Sequence, residues 1–248
     1  SMKFGDSGDD THQFTGSLHI SGSGVSFNDG ANNTFFGTDA GKSITGVGSW
    51  NVHIGKQAGE AQTIASSNVF IGGRTGIDVT QGENNVAIGR DAFYTATTSG
   101  KNVLVGGWAG NAIAAAQTDT DGTVAIGYAA GKDITSGQRS VLVGHEAGTN
   151  ISTSDDNTAI GYNAMHGNDS TAGTGTGRNT GIGSSVLYAI TTGIQNVAIG
   201  TSAASAITTG GDNIAIGHNA LLTEDSGNRN IAIGTEALKV LDYNAPGY

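Results

Sequence analysis

The sequence predicts an all-β fold: a parallel β-solenoid, or β-roll, of about twelve 17-residue coils that assembles with other copies of itself. Three observations predict it. A five-residue motif recurs at a fixed period, Gly is abundant where Pro is nearly absent (42 Gly and 1 Pro in 248 residues), and the predicted strand is apolar on both faces. Collagen is excluded because it needs far more Pro, and a hydrophobic content of 36% is too high for an ordinary disordered chain.

The motif is clearest in Asn85–Gly89, Asn196–Gly200 and Asn213–Gly217, which read Asn-(Val/Ile)-Ala-Ile-Gly. A relaxed match finds twelve copies, and eight of the eleven intervals between their final glycines are 17 residues. These glycines are Gly37, Gly55, Gly72, Gly89, Gly106, Gly127, Gly144, Gly161, Gly183, Gly200, Gly217 and Gly234. The two longest intervals contain insertions, near Ala114–Gly122 and Gly167–Gly177. Self-similarity at a short, fixed period is the signature of a repeat architecture.

Each copy predicts one coil of the solenoid. Val, Ile or Thr lies three residues before the glycine, and Ile, Val or Phe lies directly before it. This alternation predicts a five-residue strand that ends at a glycine bend. Seven copies carry Ile or Val seven residues after the glycine, which predicts a second short strand before the closing turn. The Asn that precedes the strand in ten copies is expected to stack on its neighbours as an amide ladder.

The residue in the middle of each strand predicts an oligomer. Ten of these twelve residues are apolar, although a solvent-facing position would be polar. A strand that is apolar on both faces is buried on both, so we expect this column to form an interface between copies of the chain. Its predicted members are Phe35, His53, Phe70, Ala87, Leu104, Ala125, Leu142, Ala159, Ala198, Ala215 and Ala232.

Composition limits the other functions and partners. A net charge of −10 disfavours nucleic acid, and no apolar run is long enough to span a membrane. Without Cys there is no thiolate metal site. We divide the chain into a cloning remnant (1–2), an N-terminal β lead-in (3–30), the solenoid (31–240) and the end of a fragment (241–248).

One column offers a candidate ligand-binding site. Tyr128, His145 and Tyr162 directly follow the glycine in three consecutive copies, and Trp108 lies one residue off this column in the preceding copy. The column is interpreted first as a packing ladder between coils. The functional alternative is a stripe on which saccharides stack.

No catalytic residue and no cofactor is predicted. The segment from Gly37 to Ser43 approaches a phosphate-binding loop but is one residue short between its glycines. Two acidic turns, 119–122 and 154–157, carry oxygen ligands of the kind that Ca²⁺ prefers, but plain turns explain them more simply.

The Asn-Val-Ala-Ile-Gly string resembles the head repeat of trimeric autotransporter adhesins. That resemblance implies a left-handed parallel β-roll with three chains about one axis. The predicted assembly is then a homotrimeric fibre, and the middle column of the strands is its trimer interface. The longer units 157–165 and 213–221, together with the segment 12–23, are similar to repeats and lead-ins of bacteriophage tail-fibre proteins. The coils of adhesin heads are shorter, so the strand layout is expected to differ.

The resemblance implies a virion tail-fibre segment that binds a host cell-surface glycan or protein receptor and other fibre or tail proteins. The alternative is the head domain of a bacterial surface adhesin. A third hypothesis, a polysaccharide-cleaving tailspike, would need paired carboxylates in a groove, and the sequence shows no clustered pair.

Overall fold

The computed structural model describes residues 32–44, 48–113, 122–167 and 177–240, and this part of the chain contains strands and turns but no helix. Twelve strands of three residues each form one sheet. In chain order they are β1 (Thr34–Phe36), β2 (Val52–Ile54), β3 (Val69–Ile71), β4 (Val86–Ile88), β5 (Val103–Val105), β6 (Val124–Ile126), β7 (Val141–Val143), β8 (Thr158–Ile160), β9 (Thr180–Ile182), β10 (Val197–Ile199), β11 (Ile214–Ile216) and β12 (Ile231–Ile233).

Every strand pairs in parallel with the strand of the next repeat, in the order β1 to β12. The register joins equivalent residues, as in Val69↔Val86 and Ile71↔Ile88. Each repeat is therefore one coil, and the predicted parallel β-solenoid is confirmed. We number the coils 1 to 12 by the glycine that follows each strand, and we call these residues the bend glycines.

Two details of the predicted coil are wrong. The strands have three residues rather than five, and no second strand forms in the described residues. The Ile or Val seven residues after the bend glycine instead lies in a turn and points into the core, as the full burial of Val79, Ile113 and Ile134 shows. This residue is apolar because it is buried, and a β-branched side chain can be buried in a turn as well as in a strand.

The bend glycines are required by close packing between coils. Gly72 has φ +137°, a conformation that L side chains rarely adopt. A methyl group there would lie 2.7 Å from the backbone of Gly89 in the next coil. The bend glycines thus let the chain turn at the end of each strand while the backbones of successive coils stay in contact.

The predicted asparagine ladder is confirmed. Asn85 donates from its side-chain nitrogen to Asn68 Oδ1 (3.1 Å) and to the carbonyl of Ser99 (3.0 Å). The backbone N–H of Asn85 also donates to Asn68 Oδ1 (2.9 Å). The ladder satisfies polar groups that would otherwise be buried without partners. In coils 6 and 7 Thr123 and Ser140 replace Asn, so the amide ladder is interrupted there.

The predicted trimer interface is wrong in its choice of face. The middle strand residue points into the coil of its own chain, where it is inaccessible to a partner. Phe35, in the first coil, is half-buried, and all the others are fully buried. The residues concerned are Phe35, His53, Phe70, Ala87, Leu104, Ala125, Leu142, Ala159, Ala198, Ala215 and Ala232. Alternation along a strand separates two faces but does not say which one the coil encloses.

The outward face of the sheet is formed by the residues on either side of the middle one. We call it the flanking strip. Twenty-one of its twenty-four residues are Val, Ile or Phe, and the other three are Thr. Ile160, Ile182 and Ile199 are each 37% exposed. The sheet is therefore apolar on both faces, as predicted, with the inner and outer faces exchanged.

The predicted lead-in (3–30) and the segment 241–248 lie outside the described residues, as do most of the two insertions.

Candidate ligand-binding face

A second surface of the solenoid begins where each strand ends. The residue after the bend glycine points outward, and the next one adopts a left-handed conformation, with φ +64° at Trp108 and +56° at Glu146. The chain turns outward again five residues after the bend glycine, at Lys132, His166 and Tyr188. Side chains from these three columns meet across neighbouring coils and form the surface that carries the candidate site.

Tyr128, His145 and Tyr162 come together as predicted. Their rings stack with centroids 5.3 Å and 5.6 Å apart and interplanar angles of 26° and 30°. Tyr128 and Tyr162 are 53% and 55% exposed. Each ring covers a face of its neighbour, so the inner faces of this ladder pack between coils as the first interpretation expects. The ring edges and the two outer faces are left for contact with a ligand.

Trp108 stands apart from the ring ladder. The ammonium of Lys132 lies 5.6 Å from the centroid of the Trp108 ring, within cation–π range. Gly107 occupies the ladder column in the same coil, and a methyl group there would be 3.6 Å from the Tyr128 ring. The ladder therefore ends at Tyr128, and Trp108 and Tyr128 together line an adjacent groove.

This groove has a volume of about 430 Å³. Its lining comprises Trp108, Tyr128, Ala129, Lys132, Asp133, Glu146, Thr149, Asn150 and His166. A second depression of about 290 Å³ shares Asn150 and His166 with the first and continues to Tyr188 and Thr208. We call the two together the aromatic groove. His145 and Tyr162 line neither part.

Polar and charged side chains in and beside the groove lie close to one another. Glu146 lies 4.0 Å from His145 Nδ1 and 3.9 Å from His166 Nε2, and Lys132 Nζ lies 3.9 Å from Asp133. His166 also stacks on Tyr188, with centroids 5.1 Å apart and planes 17° apart. The groove thus combines ring surfaces with hydrogen-bonding groups and carries no large excess of either charge.

Five residues of the groove were not predicted from the sequence: Lys132, Glu146, Asn150, His166 and Tyr188. Three of them share the column five residues after the bend glycine, which holds Lys132, His166 and Tyr188 on coils 6, 8 and 9. The column was not recognised because Lys132 and His166 also contact Trp108 and Glu146, which lie in a different column of the previous coil.

The acidic turn 154–157 shows no assembled cation site. Arg139 contacts both carboxylates of the 154–157 turn, with 2.7 Å from Nε to Asp156 Oδ1 and 3.4 Å from Nη2 to Asp155 Oδ2. Asp119 and Asp121 of the other turn lie outside the described residues. Among the described residues, no three His, Asp or Glu side chains are grouped so as to hold a metal ion.

The described ranges also contain no helix that could span a membrane. Comparison with known proteins found no matching family model, no matching curated protein and no matching solved structure.

Proposed function

We propose that this chain is a structural and receptor-binding segment of a phage tail fibre, which works as a homotrimer and attaches the virion to the host cell surface. The observation that carries the proposal is the flanking strip, an uncharged apolar surface that extends along all twelve strands. The repeat motif and its resemblance to tail-fibre proteins support the assignment to a fibre.

The flanking strip has the size of an apolar patch that serves as a contact surface. Twelve stacked strands extend over about 50 Å. At about 10 Å wide, the strip would cover on the order of 500 Å², which is within the range of the largest apolar patch on a typical monomer. Burial of such a patch in an assembly would remove its unfavourable contact with water.

Other copies of the same chain suit the strip best. A partner must present a straight, apolar surface of the same length and spacing, and the flanking strip of another copy meets this requirement. The strip contains no charged residue although the whole chain carries a net charge of −10. Copies that meet through the strip therefore avoid the repulsion that contact through acidic surfaces would cause. A threefold arrangement comes from the resemblance to trimeric fibres.

The oligomer is tested by Ile199→Asp. We expect this chain to stay folded but to lose its trimeric mass in gel filtration with light scattering, because Asp would place an unpaired charge in the interface. Ile64→Asp is the matched control, since Ile64 is 47% exposed but lies outside the strands. It should leave the trimer intact. A parent chain that is a folded monomer would overturn the proposal.

An adhesin head is the second candidate, favoured by the Asn-Val-Ala-Ile-Gly string. The reading frame downstream of Tyr248 separates the two candidates. A chaperone domain there indicates a phage fibre, and a stalk with a membrane anchor indicates an adhesin.

A tailspike enzyme is the third candidate, because Asp133 and Glu146 line the same groove. A pair of carboxylates flanking a sugar is the feature that glycoside hydrolysis requires. We propose a binding segment without enzymatic activity, so incubation with host polysaccharide should release no reducing ends. Turnover that disappears in Glu146→Gln would establish the enzyme instead.

A further inference from the structure

We infer that the aromatic groove on coils 5 to 9 binds a neutral oligosaccharide. This inference rests on the proposed receptor-binding function and gives it a location and a ligand class. It moves the candidate contact surface from the ring ladder to the groove beside it.

The groove has the shape of an extended site. Its two parts share Asn150 and His166, so they lie next to each other along the stack of coils. From Trp108 on coil 5 to Tyr188 on coil 9 it crosses four coil spacings, about 19 Å at the spacing of neighbouring strands. A site of this length accommodates several linked sugar rings rather than a single small molecule.

Ring surfaces are available at both ends of the groove. Trp108 and Tyr188 are 38% and 41% exposed. On the side of coil 5, the ladder position beside Tyr128 is Gly107, and no ring of the described residues stacks on that face. Aromatic rings with partly exposed faces bury the apolar C–H surface of a pyranose while leaving its hydroxyl groups free to bond elsewhere.

Polar groups line the groove between these rings. The carboxylates of Asp133 and Glu146 accept hydrogen bonds, the amide of Asn150 both donates and accepts, and Lys132 donates. A ligand rich in hydroxyl groups, each both donor and acceptor, can use all of them. A small number of polar groups placed among apolar surfaces is typical of small-ligand sites.

The charge balance favours a neutral saccharide over an acidic one or a cation. An acidic sugar would meet two carboxylates in the groove against one lysine, which Asp133 already pairs at 3.9 Å. A cationic ligand would compete with Lys132 for the face of Trp108. A neutral ligand leaves both existing pairings in place.

The ring ladder itself is a poor stacking platform. The two faces of His145 are covered by Tyr128 and Tyr162 at 5.3 Å and 5.6 Å. Of the four residues predicted from sequence, Trp108 and Tyr128 line the groove, and His145 and Tyr162 do not.

The test uses Trp108 as the reporter. The chain has two Trp residues, so Trp50→Phe leaves the emission of Trp108 alone. We would titrate this chain with neutral tetrasaccharides of glucose, galactose, mannose and N-acetylglucosamine, and with an acidic tetragalacturonate. We expect saturable changes with at least one neutral tetrasaccharide and a much weaker response to tetragalacturonate.

Variants assign the response to the groove. Tyr188→Ala and Glu146→Gln should each weaken binding about tenfold or more, the usual loss for one ring contact or one charged hydrogen bond. His218→Ala is the matched control, because His218 occupies the ladder column on coil 11, outside the groove. It should bind as the Trp50→Phe parent does, and so should Tyr162→Ala.

Three results would overturn the inference: no neutral tetrasaccharide perturbs Trp108, tetragalacturonate binds at least as tightly, or Tyr188→Ala behaves like the His218→Ala control. Light scattering on the same samples separates the two proposals. If an intact trimer binds no saccharide, only the groove assignment is refuted. If the parent chain is a monomer, the fibre proposal is refuted.

Discussion

The two ends of the solenoid fill the same core with side chains from different parts of the coil. In coils 1 to 3 the large residue is the middle strand residue, Phe35, His53 or Phe70, and a glycine lies six residues later. In coils 8, 9 and 11 the middle strand residue is Ala or Gly. There Met or Leu lies four residues after the bend glycine, in the turn.

In ten of the twelve coils one of these two positions is large and the other is small, whereas coils 6 and 10 have small residues at both, Ala125 with Gly131 and Ala198 with Ala204. A methyl group at Gly76 would lie 2.7 Å from the Phe70 ring, so both positions cannot be large in one coil. In coil 9 the middle strand residue is the glycine, and a methyl group at Gly181 would lie 3.1 Å from Val186 of the same coil and from Met165 of coil 8. Large and small residues thus share one interior space, which neighbouring coils also fill, because cores are packed at nearly constant density.

The two solutions differ in backbone cost. The turn residue has a left-handed conformation in both, with φ +59° at Gly76 and +53° at Leu221. Gly adopts it freely, whereas Leu does so at a cost of about 1–2 kcal/mol. The C-terminal coils therefore accept some backbone strain, and burial of the Leu side chain offsets it.

The largest expected effect comes from converting an N-terminal coil into the C-terminal type. Phe70→Ala should destabilise the chain by about 3–5 kcal/mol, because it leaves a cavity in coil 3. Gly76→Leu alone should also destabilise it by steric overlap with Phe70. The double variant should recover most of the loss. Denaturant unfolding of all three variants measures the coupling energy.

The reverse exchange in coil 11 is the matched control. Leu221→Gly should cost about 2–5 kcal/mol, and Ala215→Leu should restore most of it. This rescue should be more complete than the one in coil 3, because it also removes the left-handed Leu. Double variants no more stable than the single ones would contradict the idea of a shared interior volume.

A second prediction concerns pH and separates the two ends of the rod. The His53 ring lies between Phe35 and Phe70, with centroids 5.0 Å and 5.1 Å away. Burial lowers the pKa of His53 to about 4. Between pH 6.5 and 4 the unfolded chain therefore binds a proton that the folded chain does not. Stability should fall by about 3 kcal/mol as the pH drops through this window.

Hydrogen exchange at pH 7 and pH 4.5 locates the effect. Coils 1 to 3 should lose protection at the lower pH, and coils 8 to 12 should lose less, since no described residue of their core is a histidine. His53→Phe should remove the difference by continuing the stack with an uncharged ring. Equal losses at both ends in the parent chain would refute the assignment to His53.

The smallest expected effect concerns the middle of the rod, where the amide ladder is interrupted. The hydroxyl of Thr123 is buried without a hydrogen-bond partner. In Thr123→Asn, the new amide should donate to Asn102 Oδ1, as Asn102 does to Asn85 at 3.2 Å. We expect a gain of about 1 kcal/mol, the usual net value of one hydrogen bond. Thermal unfolding measures it, with Thr123→Val as a control for removal of the hydroxyl alone.

The sequence by itself determined the repeat period, the parallel register and the columns that hold the coils together. Residues 17 apart become neighbours as soon as one coil stacks on the next. Columns such as the bend glycines and Asn68 with Asn85 can therefore be read directly from the spacing. The residues of the strand columns also indicate that the strand is apolar on both faces.

Only the tertiary structure decided which face is enclosed and where a groove forms. Alternation in a three-residue strand is the same whether Ala87 or its neighbours point inward, and the choice depends on how the whole coil closes around its interior. The sequence shows a large residue at Phe70 together with a glycine at Gly76. The reason is visible only in the structure, where the two positions share one interior space. The groove has the same origin, since Trp108 and Lys132 come from different columns of neighbouring coils and meet only through the path of the chain.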